Sequence, residues 1–215
     1  MITLWCPRRS DGAQAVVARL NEIGHQAQRV VGGHRTPGSL YWGQGGGNKF
    51  EELQRLAAAG IVVPAHSLTK QPGWLARTFN HMGAQDLTAE RQYGDYYVCY
   101  VPTIREHRLH VFNGASIRVQ MKVPRVENPH PRFRSHQNGW KFVSGPEYTA
   151  QVPRGARDMA KRAVSTMGYV FGAVDIGVTT DGAPIVWEVN TQPGVEGTTA
   201  DAYARAIAGY YANGR

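Results

Sequence analysis

The chain is short of cysteine, of charge and of long apolar runs, and each shortage closes off a class of protein. Two cysteines, Cys6 and Cys99, in 215 residues are too few for a disulfide-stapled scaffold or a thiolate zinc site. No His-Glu-x-x-His occurs, and His107 and His110 stand three apart in a segment that reads as extended, so structural zinc is not expected. No apolar run approaches the ~20 residues that cross a bilayer. The segment Met1 to Arg9 carries its charge after its apolar stretch, the reverse of a secretory signal; a cytoplasmic protein without a membrane anchor is expected. The glycine-rich run from Gly43 to Gly47, before Asn48 and Lys49, lacks Gly-Lys-Ser/Thr and fails G-x-G-x-x-G at its last position, so it reads as a linker. Charged residues are 19% and hydrophobic ones 42%, which fits a folded chain with a sizeable core and not a disordered one.

Positive charge is what the chain has in excess. Lys and Arg number 24 against 16 Asp and Glu, a formal net charge of +8. Such a balance suits anionic partners, whether nucleic acid, phosphorylated ligands or acidic peptides. The basic residues come in pairs such as Arg8-Arg9 and Lys161-Arg162, without a long run. A nucleic-acid reading would use Tyr96, Tyr97 and Tyr100 as a stacking surface.

Apolar spacing predicts helices over Asp11 to Gly24, from Asn48 to Gly60, over Pro153 to Met167 and over 198–212. Asn48 with Glu51 has the form of a capping box. Strands are expected at 1–5 and 96–101, and hairpins at 104–123 and 170–190. The stretches 32–47, 74–93 and 124–138 read as irregular. Mixed helices and strands with two antiparallel hairpins give an α/β or α+β class with a partly antiparallel sheet.

The second hairpin carries the chemistry. A tight turn at Asp181-Gly182 would pair Val178 with Ile185, Ile176 with Trp187 and Val174 with Val189 on an apolar face. The other face would pair Asp175 with Glu188, with Asn190 two residues along on the same side. Two opposed carboxylates repel, and a divalent cation between them would relieve that. Mg²⁺ takes oxygen ligands of these kinds and is often completed by water and phosphates. Pro184 permits a longer turn, and a bulge would shift the register by one. In the first hairpin, strict pairing about Asn113-Gly114 puts Glu106 and Lys122 on opposite faces, so both reach one ligand only if a bulge intervenes.

The run Gly172-Ala-Val-Asp175-Ile-Gly, followed after the turn by Trp187-Glu188-Val-Asn190-Thr-Gln-Pro193-Gly194, resembles the C-terminal signature of the ATP-grasp carboxylate–amine ligases. The likeness extends loosely over 48–200. It implies an ATP-grasp fold, two lobes with partly antiparallel sheets clamping a nucleotide, here with a truncated N-terminal region. The implied domains are a short N-terminal α/β region at 1–63, a small lobe at 64–101 and a metal-bearing lobe at 102–215. The implied cofactors are ATP and Mg²⁺, with the metal on Asp175, Glu188 and Asn190. Lys122, Arg134 and Arg108 are the implied catalytic cations. Arg77, His81, Tyr97, Val98, Cys99, Tyr100, Val101, Glu106, Lys122 and Asn138 are the implied nucleotide-binding residues. Arg77 would replace the family's usual lysine beside the phosphate-covering loop, with Lys70 as an outside candidate. The implied reaction joins a small-molecule or peptide carboxylate to an amine through an acyl phosphate. An ATP-grasp-type small-molecule kinase, forming no amide, would look the same in the nucleotide half. A nucleic-acid-binding role leaves the Asp175, Glu188 and Asn190 cluster unexplained. The sequence does not set the oligomeric state, and a homodimer is compatible with it.

Overall fold

The structure, a computed structural model, describes residues 1–44, 47–79 and 93–214. In chain order the N-terminal elements are β1 (Ile2–Cys6), α1 (Asp11–Glu22), β2 (Ala27–Val31), β3 (Leu40–Tyr41) and α2 (Lys49–Ala58). Then come β4 (His66–Ser67), β5 (Leu75–Arg77), β6 (Tyr96–Val98), β7 (Thr103–Phe112), β8 (Ala115–Pro124) and β9 (Trp140–Val143). Last are α3 (Pro146–Thr149), α4 (Ala156–Thr166), β10 (Phe171–Thr179), β11 (Pro184–Asn190) and α5 (Gly197–Ala212).

The helix starts follow their capping chemistry. Ser10 accepts from the Ala13 N–H ahead of α1, and Asn48 accepts from the Phe50 and Glu51 N–H groups ahead of α2, each satisfying an orphan donor. Glu51 closes on the Asn48 side-chain amide at 3.3 Å. Helix α4 begins later than Pro153 because Gly155, at φ 81°, occupies the cap position in a conformation glycine adopts freely.

Among the described residues three sheets form: parallel β2-β1-β3, antiparallel β4-β6-β5, and five antiparallel strands in the order β11-β10-β7-β8-β9. The short strands β2, β3, β4, β5 and β9 fall where the sequence reads as loop or is silent. Their stretches are too short or too polar to show a period.

Both hairpins depart from ideal pairing, with different outcomes. The Asn113-Gly114 turn has both residues at positive φ, 45° and 74°, as a type I′ turn requires. A bulge between His110 and Val111 then shifts the ladder, which is how Glu106 and Lys122 come to one face. In the second hairpin the loop holds three residues, not two, since Thr179 N–H bonds Ala183 O at 2.9 Å. The expected Val178–Ile185 and Ile176–Trp187 pairs are therefore replaced by Val178–Pro184, Gly177–Ile185 and Ile176–Val186. A second irregularity between Asp175 and Ile176 restores the expected register, so Asp175 does face Glu188 and Val174 faces Val189. Trp187 is the extra residue. It leaves the apolar face and lies over Gly177, where a Cβ would come within 2.7 Å of its indole nitrogen.

One core lies under α4, where Ala156, Ala160, Ala163 and Val164 meet Leu109, Val111, Val119, Val174 and Ile176. The alanines let the helix approach the sheet closely. A second joins β1, α1 and α5 to the ends of β7 and β10 through Trp42, Phe112, Phe171 and Tyr203. A third places Phe50 and Leu53 of α2 against Tyr96 and Val98. Helix α2 thus packs on the small sheet while also touching α4 and β11.

Candidate active site

A cavity of about 450 Å³ opens between the β4-β6-β5 sheet and the face of the five-stranded sheet opposite α4, within the range of small-molecule sites. Part of its lining is apolar, with Leu53, Pro64, Leu75, Tyr96, Val98 and Trp187. The segment Val98 to Val101 borders it, and Cys99 N–H bonds Ala65 O at 2.8 Å. The ionic part of the lining comes from β7, β8, β10 and β11, with Glu106, Arg108, Lys122, Asp175 and Glu188.

That ionic floor follows from strand register. Arg108 on β7 stands opposite Asp175 on β10, which stands opposite Glu188 on β11. The Arg108 guanidinium donates to both Asp175 oxygens, at 2.6 and 2.7 Å, a bidentate fork. Burial alone would lower the Arg108 pKa, but Asp175 more than offsets it and the guanidinium stays charged. Glu188 accepts from the Asn190 side-chain amide at 2.7 Å and lies 3.6 Å from the Lys49 ammonium. Burial likewise opposes charge on Lys49, yet Glu188 and Glu52 raise its pKa overall. The repulsion between Asp175 and Glu188 that the sequence suggested is therefore already countered by Arg108 on one side and Lys49 on the other.

One step along the sheet, Lys122 donates to Glu106 at 2.8 Å and to the Arg134 carbonyl at 2.6 Å. Arg134 donates to the Thr103 carbonyl at 2.7 Å and lies over the Trp140 ring. Phe142 on β9, paired with Lys122, lies with its ring 4.1 Å from the Arg108 guanidinium and 5.0 Å from the Lys122 ammonium, within cation–π range of both.

The structure thus brings Arg77, Val98, Cys99, Tyr100, Val101, Glu106, Arg108, Lys122, Arg134, Asp175 and Glu188 to one cavity. Asn190 does not line the cavity and is linked to it by its bond to Glu188. Two further expected residues stand apart. Tyr97 is buried on the other side of β6, and Asn138 sits in the turn beside Ser135, off the cavity lining. His81 lies outside the described residues. Lys70 pairs with the Tyr93 ring and does not line the cavity. Tyr96 and Tyr97 are 2% and 7% exposed, so they form no outer surface on which a nucleic acid could stack.

Lys49, Trp187, Arg132, Lys141 and Phe142 line the cavity and were not among the site residues expected from the sequence. A lysine in the first turn of a helix opposes the helix dipole, a signal that Lys49 is held there by something other than helix chemistry. Trp187 has only the hint of Pro184. The others sit in or beside a polar stretch with no periodicity.

The donors Asp175, Glu188 and Asn190 are all oxygen-bearing and close to a cation-rich wall, the chemistry that suits Mg²⁺ with phosphate. Among the described residues no group of three or more His, Cys, Asp and Glu converges on one point; a metal here would be held by two carboxylates and an amide. No helix is long and apolar enough to cross a membrane among those residues.

No protein-family model matches the chain. A probable alpha-L-glutamate ligase 1 of Shewanella sp. (strain W3-18-1) is 26% identical over 176 residues, covering 70% of this chain and 57% of the relative. A probable alpha-L-glutamate ligase 2 of Shewanella putrefaciens matches to the same extent. The chain therefore spans little more than half the length of these curated relatives. Among solved structures, ATP-grasp ligase PsnB with a minimal precursor superimposes with a TM-score of 0.68 at 12% identity, over 96% of this chain and 98% of that one. D-cycloserine synthetase DcsG gives 0.63 at 13%, over 98% and 99%. D-alanine–D-alanine ligase of Bacillus anthracis gives 0.58 at 12%, over 97% and 93%. At these identities the likeness is one of fold, and the fold is ATP-grasp.

Proposed function

We propose that this ATP-grasp chain is an ATP- and Mg²⁺-dependent ligase that activates a carboxylate as an acyl phosphate and joins it to an amine. The observation that carries the reading is the cavity itself, lined by both apolar side chains and the cross-strand row of Arg108, Asp175 and Glu188. The apolar lining would suit a purine, with Val98 to Val101 beside it to offer backbone groups. Lys49 and Arg77, which also line the cavity, would bind the phosphates. Asp175, Glu188 and Asn190 would hold Mg²⁺, which when bound neutralises charge on phosphate oxygens.

Arg108, Lys122 and Arg134 would bind the transferred phosphoryl group and the carboxylate. In the first step a carboxylate oxygen attacks the γ-phosphorus and the bond to ADP breaks. In the second the amine nitrogen attacks the acyl carbon, phosphate leaves and the nitrogen gives up a proton. Such transfers need positioning and charge stabilisation more than covalent help. The fixed bonds of Lys122 to Glu106 and of Arg108 to Asp175 supply that preorganisation. An amino acid or peptide is the substrate class we favour. The likeness to glutamate ligases supports the first, and the likeness to a ligase solved with its precursor peptide supports the second.

The test is ADP release with MgATP across amino acids and peptides, with mass spectrometry of the products. An amide together with ADP is expected. A phosphorylated acceptor with no amide would instead mark a kinase. No nucleotide-dependent product, with a large thermal shift on adding DNA or RNA, would overturn both.

A further inference from the structure

We propose that Glu52, which does not line the cavity, is a positioning residue that fixes the Lys49 ammonium against the Glu188–Asn190 segment of β11. The proposal rests on the nucleotide reading above. Glu52 lies one turn after Lys49 on α2, on the buried side of the helix, and is 8% exposed. One carboxylate oxygen accepts from Lys49 at 3.2 Å, and the other accepts from the Val189 N–H at 2.7 Å. Val189 stands between Glu188 and Asn190, so one carboxylate ties a helix cation to the backbone bearing both oxygen donors.

Two physical points separate this from simple edge capping. Strand β11 is the outer strand of its sheet, so its outward N–H groups need acceptors from elsewhere. The Val186 N–H finds a neutral one, the Val62 carbonyl at 2.9 Å. A neutral acceptor would serve Val189 as well, yet the chain buries a carboxylate there, which is costly unless it is paired. The pair is Lys49, whose other partner is Glu188 at 3.6 Å. When Glu188 turns to a cation, Lys49 keeps Glu52 as its fixed counter-charge and stays aimed into the cavity. Burial raises the Glu52 pKa overall, with Glu188 adding to the rise and Lys49 and the Val189 N–H opposing it, so the charge on Glu52 depends on keeping those two partners.

The experiment is calorimetric titration of the full chain with MgATP for the unsubstituted protein, Glu52→Gln, Lys49→Met and the double variant, with a thermal melt of each. Gln keeps an acceptor for Val189 and removes only the charge. We expect Glu52→Gln to weaken nucleotide binding about tenfold, in the range seen when residues supporting a ligand shell are lost. The double variant should bind no more weakly than Lys49→Met alone, because the two act as a unit. Lys49→Met should lower the Tm by leaving a lone buried carboxylate, and adding Glu52→Gln should restore part of the loss. Unchanged binding in Glu52→Gln, multiplicative losses in the double variant, or a double variant melting below Lys49→Met would each overturn the proposal. If the unsubstituted chain does not bind MgATP, it is the nucleotide reading that fails.

Discussion

On one face of the five-stranded sheet, Leu109, Val111, Val119, Val174 and Ile176 lie against the alanine-rich side of α4. On the other, the same strands present Glu106, Arg108, Lys122 and Asp175 to the cavity. Neighbouring residues along one strand thus belong to two regimes. The apolar face gains free energy from area removed from water, with no need for any particular partner. The ionic face holds half-buried charges that are tolerable only in pairs, so every group there is fixed by another. A fold can place such a face beside a cleft because the apolar face and the helix behind it supply the stability.

The sharpest way to break the comparison is to remove one charge from the ionic face. Glu188→Gln should lower ATP turnover by about 10³-fold, in the range of a lost transition-state electrostatic partner, while far-UV circular dichroism and Tm change little. Full turnover in this variant would remove the metal assignment.

The converse change is on the apolar face. Ile176 is fully buried under α4, and Ile176→Ala should cost about 2–5 kcal/mol of stability through lost transfer energy and a cavity. Urea melts give the cost. The KM for ATP, measured where the variant is folded, should stay near that of the unsubstituted chain; a KM shift as large as that of a cavity residue would blur the division between the faces.

The two faces should respond alike to acid, since each buries a histidine. Burial, aided by Arg105, lowers the His107 pKa to about 4, and burial does the same for His110, whose ring nitrogens meet Tyr203 and Gln120. An unfolded histidine titrates near 6.5. Between about 6.5 and about 4 the unfolded chain holds more protons than the folded one, so stability falls as pH drops through that window. The Tm should decline from pH 7 to pH 5, less steeply in His110→Gln. A flat profile would show that neither ring is buried neutral.

The smallest expected effect falls on Phe142, apolar yet on the ionic side. Phe142→Leu should cost about 1 kcal/mol of cation–π attraction to Arg108 and Lys122, seen as a roughly fivefold rise in KM for the carboxylate substrate. Phe142→Tyr should restore most of it. A change in Tm with no change in KM would place Phe142 with the packing residues of the other face.

Much of this was written in local patterns. The Ser10 and Asn48 caps, the helical stripes of α1, α2, α4 and α5, and the Asn113-Gly114 turn are decided by residues within a few positions of each other. The opposition of Asp175 and Glu188 was legible because an alternating hairpin constrains its own faces, although only the offset of a three-residue turn by a bulge beside Asp175 preserves it. The sequence could not say that Arg108 sits in line with them, since that needs the pairing of β7 with β10 across 67 residues of chain. Nor could it place Lys49, Trp187 or Phe142 in the cavity. A lysine at a helix start, one bulge and a four-residue edge strand carry no period. Their positions follow from which strands become neighbours and where the ladder slips. Local chemistry therefore set the elements and the acidic pair, while the partners of that pair were chosen by long-range packing, because charges buried together are stabilised by whatever the folded chain brings within a few ångströms.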